Sequence, residues 1–577
     1  MPRALGQTRL GAAFGLLLGT SALLAALVVS PAAAASTPPV VQRTPAVVTT
    51  DPLPTAQIDG VVWSQAITGH TVFAGGRFSR ARPAGAPPGQ AQVPRHNLMS
   101  FDLRTGVMTR FAPDLNGQVK GVAVSPDGRT VVVVGGFTRV GLVVRNHFAA
   151  FDVATGALRP LAPSFNASTD AVAVTATAVY VGGTFSRVDG WPRSRLAAVR
   201  LGTGALTGWA PTADAEVHAL TLTPDGSAVV VGGSFARLSS TPVLGLGAVD
   251  AGSGTTLPWQ ADAVVQDYGP SSAVLSLTAD GDTVYGTGYS YGAGNFEGAF
   301  AIDPGTGSIK WLQDCHGDTY GVAAVGDAVY SVGHAHYCGN IGGFHESSPR
   351  VEYRGLAVTK DARGTVAKNG QTSLPSYASF AGQPAPSLVN WFPRLDAGSY
   401  TGMTQAAWSV VGNEDYLVLG GEFPRVNGVA QQGLVRLAVP ALAPRRKGPV
   451  LTGDAIRPVP VAGSTSGSAR VTWPGDWDRD DLELGYELLR DGVVVCRRTS
   501  STPFWERQQM TWTDSGLAPG RTYRYVLRVR DPDGNTTTSP PAELTTPPSV
   551  PSRPSPTATP TPADPASPSH RATKLKA

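Results

Sequence analysis

A short motif that recurs along residues 60–440 constrains the fold of this chain more than any other feature. Each copy combines an apolar run, glycines, an aromatic residue and an arginine. The five clearest copies occupy residues 72–78, 133–140, 180–188, 230–238 and 419–426, and weaker copies at 284–288 and 329–333 fill the gap before the last. A repeat of this kind builds one supersecondary unit per copy, and neighbouring units stack to bury a common core.

The spacing of the copies predicts the size of each unit. The second glycines are Gly76, Gly136, Gly183, Gly233, Gly288, Gly333 and Gly421, and most of the intervals between them are 45 to 60 residues. A four-stranded propeller blade needs about 40–50 residues. The last interval is 88 residues, and we assign its excess, about residues 365–390, to an inserted loop. The sequence therefore predicts an all-β fold with a seven-bladed β-propeller over residues 55–442, with six or eight blades as alternatives.

The residues around each glycine pair support this architecture. Turn sequences of the type Asp-x-x-Thr-Gly follow at 102–106 and 152–156, and Pro-Asp-Gly turns lie at 126–128 and 224–226. Strands and tight turns at fixed offsets are typical of antiparallel sheets. We expect the double glycine to let strands approach closely where a side chain would not fit.

The copy at residues 183–190 reads Gly-Thr-Phe-Ser-Arg-Val-Asp-Gly. It resembles the repeat of the delta-sixty family of bacterial β-propellers. The resemblance extends over about two thirds of the chain and implies the propeller architecture. It implies little about a reaction, because the members of that family are mostly of unassigned function.

Residues 453–546 have a different character. An alternating strand with a tryptophan spans 469–473, a strand runs into an Asp-Gly turn at 484–492, and Leu-Ala-Pro-Gly-Arg-Thr-Tyr occupies 517–523. This region is similar to the fibronectin type III module, in which Tyr523 would be the tyrosine-corner residue. It predicts an immunoglobulin-like β-sandwich after the propeller.

The N-terminal residues predict export, and the C-terminal residues predict a tail that does not fold. Residues 1–36 combine Arg3 and Arg9, an apolar stretch and an alanine run, as in a signal peptide, with a retained membrane anchor as the alternative. A linker is expected at 37–54, and the Pro/Ser/Thr-rich residues 547–577 are expected to be a disordered tail. We therefore expect a secreted or cell-surface bacterial protein with no transmembrane segment in the mature chain.

Charge and motifs exclude several classes of function. The formal net charge is +4, and about +2 once Arg3 and Arg9 are removed, which predicts no nucleic-acid partner. The sequence has no phosphate-binding loop, dinucleotide fingerprint or zinc-protease motif. No cofactor is indicated by these patterns, apart from the possible divalent metal considered below.

Three cysteines suit an exported protein with one disulfide bond. Cys315 and Cys338 lie within one repeat, whereas Cys496 lies in the other predicted domain. We expect a Cys315–Cys338 bond and a free Cys496.

Two clusters contain metal-ligand residue types. His334 and His336 alternate on a predicted strand, and the cysteine pair would bring His316 near, so that three imidazoles would bind a divalent metal. The alternative is hydrogen bonding to turns. The second cluster is acidic, with Asp476, Asp478, Asp480 and Asp481 in one sandwich connection and Asp531, Asp533 and Asn535 in another. These connections lie at the same end of such a sandwich, so their oxygens would converge on a hard cation; ordinary turn chemistry is the alternative.

The leading functional hypothesis is an extracellular binding or adhesion protein that recognises a glycan or an envelope protein through one propeller face. The alternative is an extracellular glycosidase with an accessory fibronectin module, which rests on fold association alone. Catalysis is the less favoured reading, because no acid–base pair stands out. The two hypotheses differ in whether carboxylates or the histidine cluster line the mouth of the central channel.

Overall fold

The computed structural model describes residues 46–371 and 377–549. The described chain is all-β and consists of many small antiparallel sheets, with three short 3-10 helices at Ala261–Ala263, Gly339–Ile341 and Gly453–Ile456. The predicted signal peptide lies outside the described residues, as do residues 37–45 of the predicted linker and 550–577 of the predicted tail. Within the described part of the chain, no helix is long and apolar enough to cross a membrane.

Seven main sheets follow one another along residues 57–438 of the described chain, one for each copy of the motif. The strands of sheets 1 to 4 and of their small flanking hairpins are β1 (Gln57–Ile58), β2 (Val61–Thr68), β3 (Thr71–Arg77), β4 (Arg80–Arg82), β5 (Val93–Pro94), β6 (Leu98–Asp102), β7 (Val119–Val124), β8 (Thr130–Gly135), β9 (Arg139–Val140), β10 (Val143–Val144), β11 (Phe148–Asp152), β12 (Thr169–Val174), β13 (Ala178–Gly183), β14 (Arg187–Val188), β15 (Trp191–Pro192), β16 (Leu196–Arg200), β17 (Val217–Leu222), β18 (Ala228–Gly233), β19 (Arg237–Leu238), β20 (Thr241–Pro242) and β21 (Leu246–Asp250).

Sheets 5 to 7 complete this repeat region. Their strands are β22 (Ser272–Asp280), β23 (Thr283–Ser290), β24 (Gly298–Ile302), β25 (Ile309–Asp314), β26 (Thr319–Val325), β27 (Ala328–Ala335), β28 (Tyr353–Thr365), β29 (Pro384–Leu388), β30 (Ala407–Gly412), β31 (Tyr416–Gly421), β32 (Arg425–Val426), β33 (Val429–Ala430) and β34 (Leu434–Ala438). The main sheets pair in the orders β2-β3-β6, β7-β8-β11, β12-β13-β16, β17-β18-β21, β22-β23-β24-β25, β26-β27-β28-β29 and β30-β31-β34. The prediction of an inserted loop at about residues 365–390 is wrong in part, because β29 lies within that range and pairs with β28 as the fourth strand of sheet 6. In the described residues, the excess length forms no further main sheet.

A full fourth strand is present only in sheets 5 and 6 of the described chain. In sheets 1 to 4 it is reduced to one bridge, as between Phe101 and Met108 or between Phe151 and Leu158. Prolines follow these bridges closely, at positions 113, 160, 211 and 258, and a proline has no N–H to donate to a sheet. The fourth strand of sheet 5, β25, contains no proline and pairs with β24 apart from a bulge at Lys310. The fourth strand of sheet 6, β29, contains Pro384 and Pro386 and pairs with β28 in an irregular register.

The first strands of the seven sheets lie next to one another, and we call them the inner strands. Each contacts the inner strand of the following sheet, in the order β2, β7, β12, β17, β22, β26 and β30, and β30 contacts β2 in turn. Each inner strand therefore has another inner strand on either side, and the last one contacts the first. Apolar side chains from adjacent sheets bury between them, as Phe73 of sheet 1 does with Val119 and Val131 of sheet 2.

The glycine pairs permit this close approach. A Cβ atom at Gly75 would lie 2.4 Å from Cγ1 of Val119 in the next sheet, and one at Gly76 would lie 2.0 Å from the carbonyl oxygen of Val61. The same holds at Gly182, where a Cβ would lie 2.5 Å from Val217 Cγ1. Any side chain larger than hydrogen at these positions would require the second strand of the sheet to move away from the inner strand that it contacts.

The chain before β1 forms the outer edge of sheet 7. The N–H of Thr49 donates to Ala438 O at 2.8 Å, and the N–H of Leu53 donates to Arg436 O at 2.9 Å. Thr49 and Leu53, which the sequence analysis placed in a linker, therefore hydrogen-bond to the edge strand of the last sheet. Arg436 is 1% exposed, and its guanidinium donates to Pro54 O at 2.6 Å and to Leu103 O at 2.5 Å, so that it ties the beginning of the region to its end.

Two further sheets follow the repeat region. Their strands are β35 (Val459–Ala462), β36 (Ser468–Pro474), β37 (Glu483–Arg490), β38 (Val493–Ser501), β39 (Gln509–Ser515), β40 (Thr522–Arg530), β41 (Thr536–Thr538) and β42 (Ala542–Thr545). β35, β36 and β39 form one sheet, and β37, β38, β40, β41 and β42 form the other. Trp473 from the first and Tyr486 and Tyr525 from the second are buried in one shared core.

The predicted disulfide bond is confirmed. Cys315 and Cys338 are joined at an S–S distance of 2.08 Å and both are buried. Cys496 is a buried free thiol in the core of the C-terminal sheets.

Candidate functional site

Each inner strand contains a β-bulge at the same place in its pairing with the second strand of its sheet. One residue per strand therefore has no partner in the pairing. These seven residues, which we call the bulge residues, are Trp63, Lys120, Asp170, His218, Leu275, Tyr320 and Trp408. A bulge changes the direction of one side chain, and bulges are over-represented next to active sites.

All seven bulge residues line one cavity of about 230 Å³ between the inner strands. The residue that follows each bulge is small, being serine at 64, 276 and 409, glycine at 121 and 321, and alanine at 171 and 219. These small residues also line the cavity and leave room for the larger side chains. Seven repeats thus present seven side chains of different chemistry to one space.

Three aromatic bulge residues, Tyr320, Trp408 and Trp63, line one side of this cavity, which we call the aromatic arc. The rings of Tyr320 and Trp408 have centroids 4.3 Å apart, and the rings of Trp408 and Trp63 lie 5.1 Å apart in an edge-to-face arrangement. The indole N–H of Trp408 donates to Glu422 Oε1 at 3.1 Å, and that of Trp63 donates to Gln118 Oε1 at 3.2 Å. These hydrogen bonds fix both indoles in place.

On the opposite side of the cavity, the bulge residues are Lys120, Asp170 and His218, and Glu216 lies beside them. We call these four residues the charged arc. Lys120 Nζ lies 2.6 Å from Asp170 Oδ1 and 3.9 Å from Glu216 Oε1. His218 Nδ1 is 3.7 Å from the same Glu216 oxygen, and its Nε2 is 3.2 Å from Ser234 Oγ. Burial lowers the pKa of His218 to about 4, so its imidazole is neutral near pH 7.

Glu216, beside Lys120 and His218, also has a strongly shifted pKa. Burial raises its pKa to about 7, and the hydrogen bond and charge of Asp170 act in the same direction, against the attraction of Lys120 and Arg195. A carboxyl with a raised pKa in the folded state binds more protons than it does in the unfolded chain. Its stabilising contribution is present below its ordinary pKa of 4.5 and is lost as the pH rises through 7.

This shift gives a pH prediction. The melting temperature of the wild type should fall relative to that of Glu216→Gln as the pH rises from 4.5 to 8, because only the wild type must ionise this buried carboxyl. Thermal unfolding followed by circular dichroism at closely spaced pH values measures the difference. Glu414→Gln, an exposed control, should track the wild type. A constant difference between wild type and Glu216→Gln over this range would contradict the prediction.

Further acidic groups lie beside Tyr320. Its hydroxyl donates to Asp318 Oδ2 at 3.2 Å and lies 3.2 Å from His334 Nδ1. Burial raises the pKa of Asp318. Burial also raises the pKa of Glu297 to about 7, assisted by the charge of Asp318. His334 therefore belongs to the surroundings of the cavity.

His316 and His336 lie in different surroundings from His334. His316 is buried and stacks on Tyr377, with ring centroids 3.7 Å apart; Gln371 and Asn340 hydrogen-bond to its two ring nitrogens. His336 is buried 3.5 Å from Glu346 Oε1 and contacts the hydroxyl of Tyr377.

The three imidazoles do not converge on a shared metal position. Within the described residues, the one group of three metal-type ligand atoms that lie within 4.8 Å of one another is formed by Asp478, Asp480 and Asp481. The metal hypothesis for the three histidines therefore stays a prediction without a geometric basis.

The structure also divides the acidic cluster. Asp478 and Asp480 lie together with Asp481, as just described. Asp531 instead accepts a hydrogen bond from Asn535 Nδ2 at 2.6 Å, and Asp533 forms an ion pair with Arg445 at 2.7 Å. The described geometry places neither residue in the group of three.

Sequence reasoning missed the bulge residues. The sequence does contain a pattern that could have identified them. Each inner strand has one variable, mostly large or charged residue immediately before a serine, glycine or alanine. The surrounding positions are apolar in most copies. When the seven inner strands are aligned on that small residue, rather than on the glycine pair, the bulge residues occupy one position whose residue type varies between repeats.

Comparisons with known proteins assign neither a family nor a function to this chain. No family model and no curated protein matches the sequence. Among solved structures, the chain is similar to the crystal structure of the computationally designed Ika8 protein, with 12% sequence identity, a TM-score of 0.35, and coverage of 85% of this chain and 98% of that one. A TM-score this low does not establish a shared fold.

Proposed function

We propose that the repeat region is a seven-bladed β-propeller of the delta-sixty type and that the C-terminal sheets form a fibronectin type III sandwich. The cyclic order of the inner strands and the N-terminal edge on sheet 7 support the first assignment. The hydroxyl of Tyr523 accepts a hydrogen bond from the N–H of Ala518 at 2.8 Å, as expected of a tyrosine corner, and this supports the second.

The protein is, in this proposal, a secreted glycan-binding protein whose ligand enters the cavity of the bulge residues. The observation that carries the proposal is the convergence of all seven bulge residues on one cavity. A sugar has apolar C–H faces and hydroxyl edges, which match the aromatic arc and the charged arc respectively. The cavity volume lies just below the roughly 300–1,000 Å³ of typical small-molecule sites, which suits one sugar unit or the end of a glycan chain. The disulfide supports an extracellular location.

Glycoside hydrolysis is the second candidate, because Glu216 and Glu297 have pKa values raised to about 7, as in a general acid. The carboxyls of Asp170 and Glu216, however, are close enough to share a hydrogen bond. A retaining glycosidase separates its two carboxyls by about 5–5.5 Å, and an inverting one by more. This contact is too short for Asp170 and Glu216 to act as a glycosidase pair, which favours binding over cleavage.

A glycan array, combined with an assay for reducing-sugar release, tests the proposal. The wild type should bind a defined set of sugars and release no reducing ends. Trp408→Ala should lose those sugars, whereas Trp191→Ala, which changes a 66% exposed indole on β15, should keep them. Unchanged array binding by Trp408→Ala would contradict the proposed site. Sugar release that Glu216→Gln abolishes would establish the hydrolase alternative instead.

A further inference from the structure

The connection between β36 and β37 brings three carboxyl groups together. Asp478, Asp480 and Asp481 each have a carboxylate oxygen within 4.8 Å of those of the other two. Within the described residues, none of the three has a basic group within 4.0 Å of its carboxylate oxygens. The neighbouring Arg479 instead places its guanidinium over the rings of Trp477 and Phe392.

The most buried of these carboxylates is incompletely satisfied. Asp478 is 0% exposed, and its Oδ1 accepts the N–H of Asp480 at 3.2 Å. Its Oδ2 is buried and has no hydrogen-bond donor. Asp476, two residues earlier in the same connection, also has a buried Oδ2 without a donor. A buried carboxylate oxygen without a donor is costly unless a proton or a cation neutralises it.

We propose that Asp478, Asp480 and Asp481 bind a Ca²⁺ ion. Ca²⁺ takes six to eight oxygen ligands in flexible geometry, and carboxylates, backbone carbonyls and water all serve. Mg²⁺ fits less well, since it demands near-ideal octahedral geometry and keeps most of its waters. The site is narrower than the one the sequence predicted, because Asp531 and Asp533 have partners of their own.

The connection that holds this ion also joins the repeat region to the C-terminal sheets. The N–H of Thr50 donates to Asp480 Oδ2. The side-chain amide of Asn390 donates to the carbonyl oxygens of Asp478 at 3.1 Å and Asp481 at 3.0 Å. An ion bound by the three carboxylates would therefore rigidify this junction, independently of any ligand in the cavity of the bulge residues.

Terbium luminescence tests this site on the full chain after removal of metals with a chelator. Tb³⁺ is a Ca²⁺ substitute that luminesces when a nearby tryptophan is excited, and Trp477 is adjacent to Asp478 in the chain. The wild type should bind about one Tb³⁺, with luminescence that Ca²⁺ displaces. The double variant Asp478→Asn/Asp480→Asn should lose this signal at least tenfold, and Asp454→Asn, an exposed control, should retain it.

A second measurement guards against a variant that fails to fold. Ca²⁺ at saturating concentration should raise the melting temperature of the chelated wild type by several degrees and leave that of the folded double variant unchanged. Absence of Tb³⁺ and Ca²⁺ binding by the wild type would overturn the proposal. Equal Tb³⁺ luminescence in the wild type and the double variant would do so as well.

Discussion

Arg436→Ala should lower the free energy of unfolding of the repeat region by about 4 kcal/mol. The wild-type guanidinium is buried and donates charge-assisted hydrogen bonds to Pro54 O and Leu103 O. Truncation to alanine leaves both carbonyl oxygens without this donor and opens a cavity in the core. Leaving buried polar groups unsatisfied costs about 1–3 kcal/mol each, and loss of a large buried side chain adds to this.

Guanidinium-induced unfolding, followed by tryptophan fluorescence, measures this loss. Arg425→Ala is the matched control, because Arg425 lies in the same repeat but is exposed and donates to one carbonyl, that of Gly428. It should change the unfolding free energy by less than about 0.5 kcal/mol. If Arg436→Ala unfolded at the same denaturant concentration as this control, the tie between the first and last sheets would not stabilise the region.

The double variant Trp63→Ala/Trp408→Ala should weaken sugar binding by about 100- to 1,000-fold. Buried aromatic residues at the centre of a binding site each contribute about 2 kcal/mol or more, and two that touch are not strictly additive. Their rings are 5.1 Å apart in an edge-to-face arrangement, so both lie close enough to contact one bound ligand. Isothermal titration calorimetry with the sugar selected on the array gives the affinity.

Folding of this double variant is checked separately. Both indoles line a cavity and are half-buried, so their removal should cost little stability compared with a core tryptophan such as Trp311. Trp191→Ala should keep the wild-type affinity. A double variant that melts within a few degrees of the wild type and binds the sugar equally well would show that the aromatic arc does not bind it.

Much of the fold was predictable because repetition makes its signal redundant. Seven copies of one motif indicated seven similar sheets, and the glycine pairs indicated a close approach that Gly75 and Gly182 confirm. The disulfide followed from the placement of Cys315 and Cys338 in one repeat. The N-terminal edge of sheet 7 was not predictable, because residues 49–54 carry no strand pattern and are held by backbone bonds to a segment nearly 400 residues away.

The candidate site was harder to predict, since it depends on local irregularities. The histidine hypothesis assumed a regular strand through His334 and His336. The pairing of β27 with β28 shifts register between Val332 and Ala335, and β27 ends at Ala335, so simple alternation does not continue through these residues. The bulges of the inner strands likewise interrupt the two-residue alternation of side chains, so alternation along the sequence does not identify the bulge residues. Their chemistry becomes visible only when the seven strands are brought around one cavity.

Hydroxyl-radical footprinting with and without the bound sugar tests the central claim most directly, because it reports which side chains the ligand covers. The rates of oxidation of Trp63 and Trp408 should fall several-fold when the sugar is saturating, and that of the exposed Trp191 should stay the same. Saturation with sugar that leaves the oxidation of Trp63 and Trp408 unchanged would contradict the assignment of the bulge residues as the binding site.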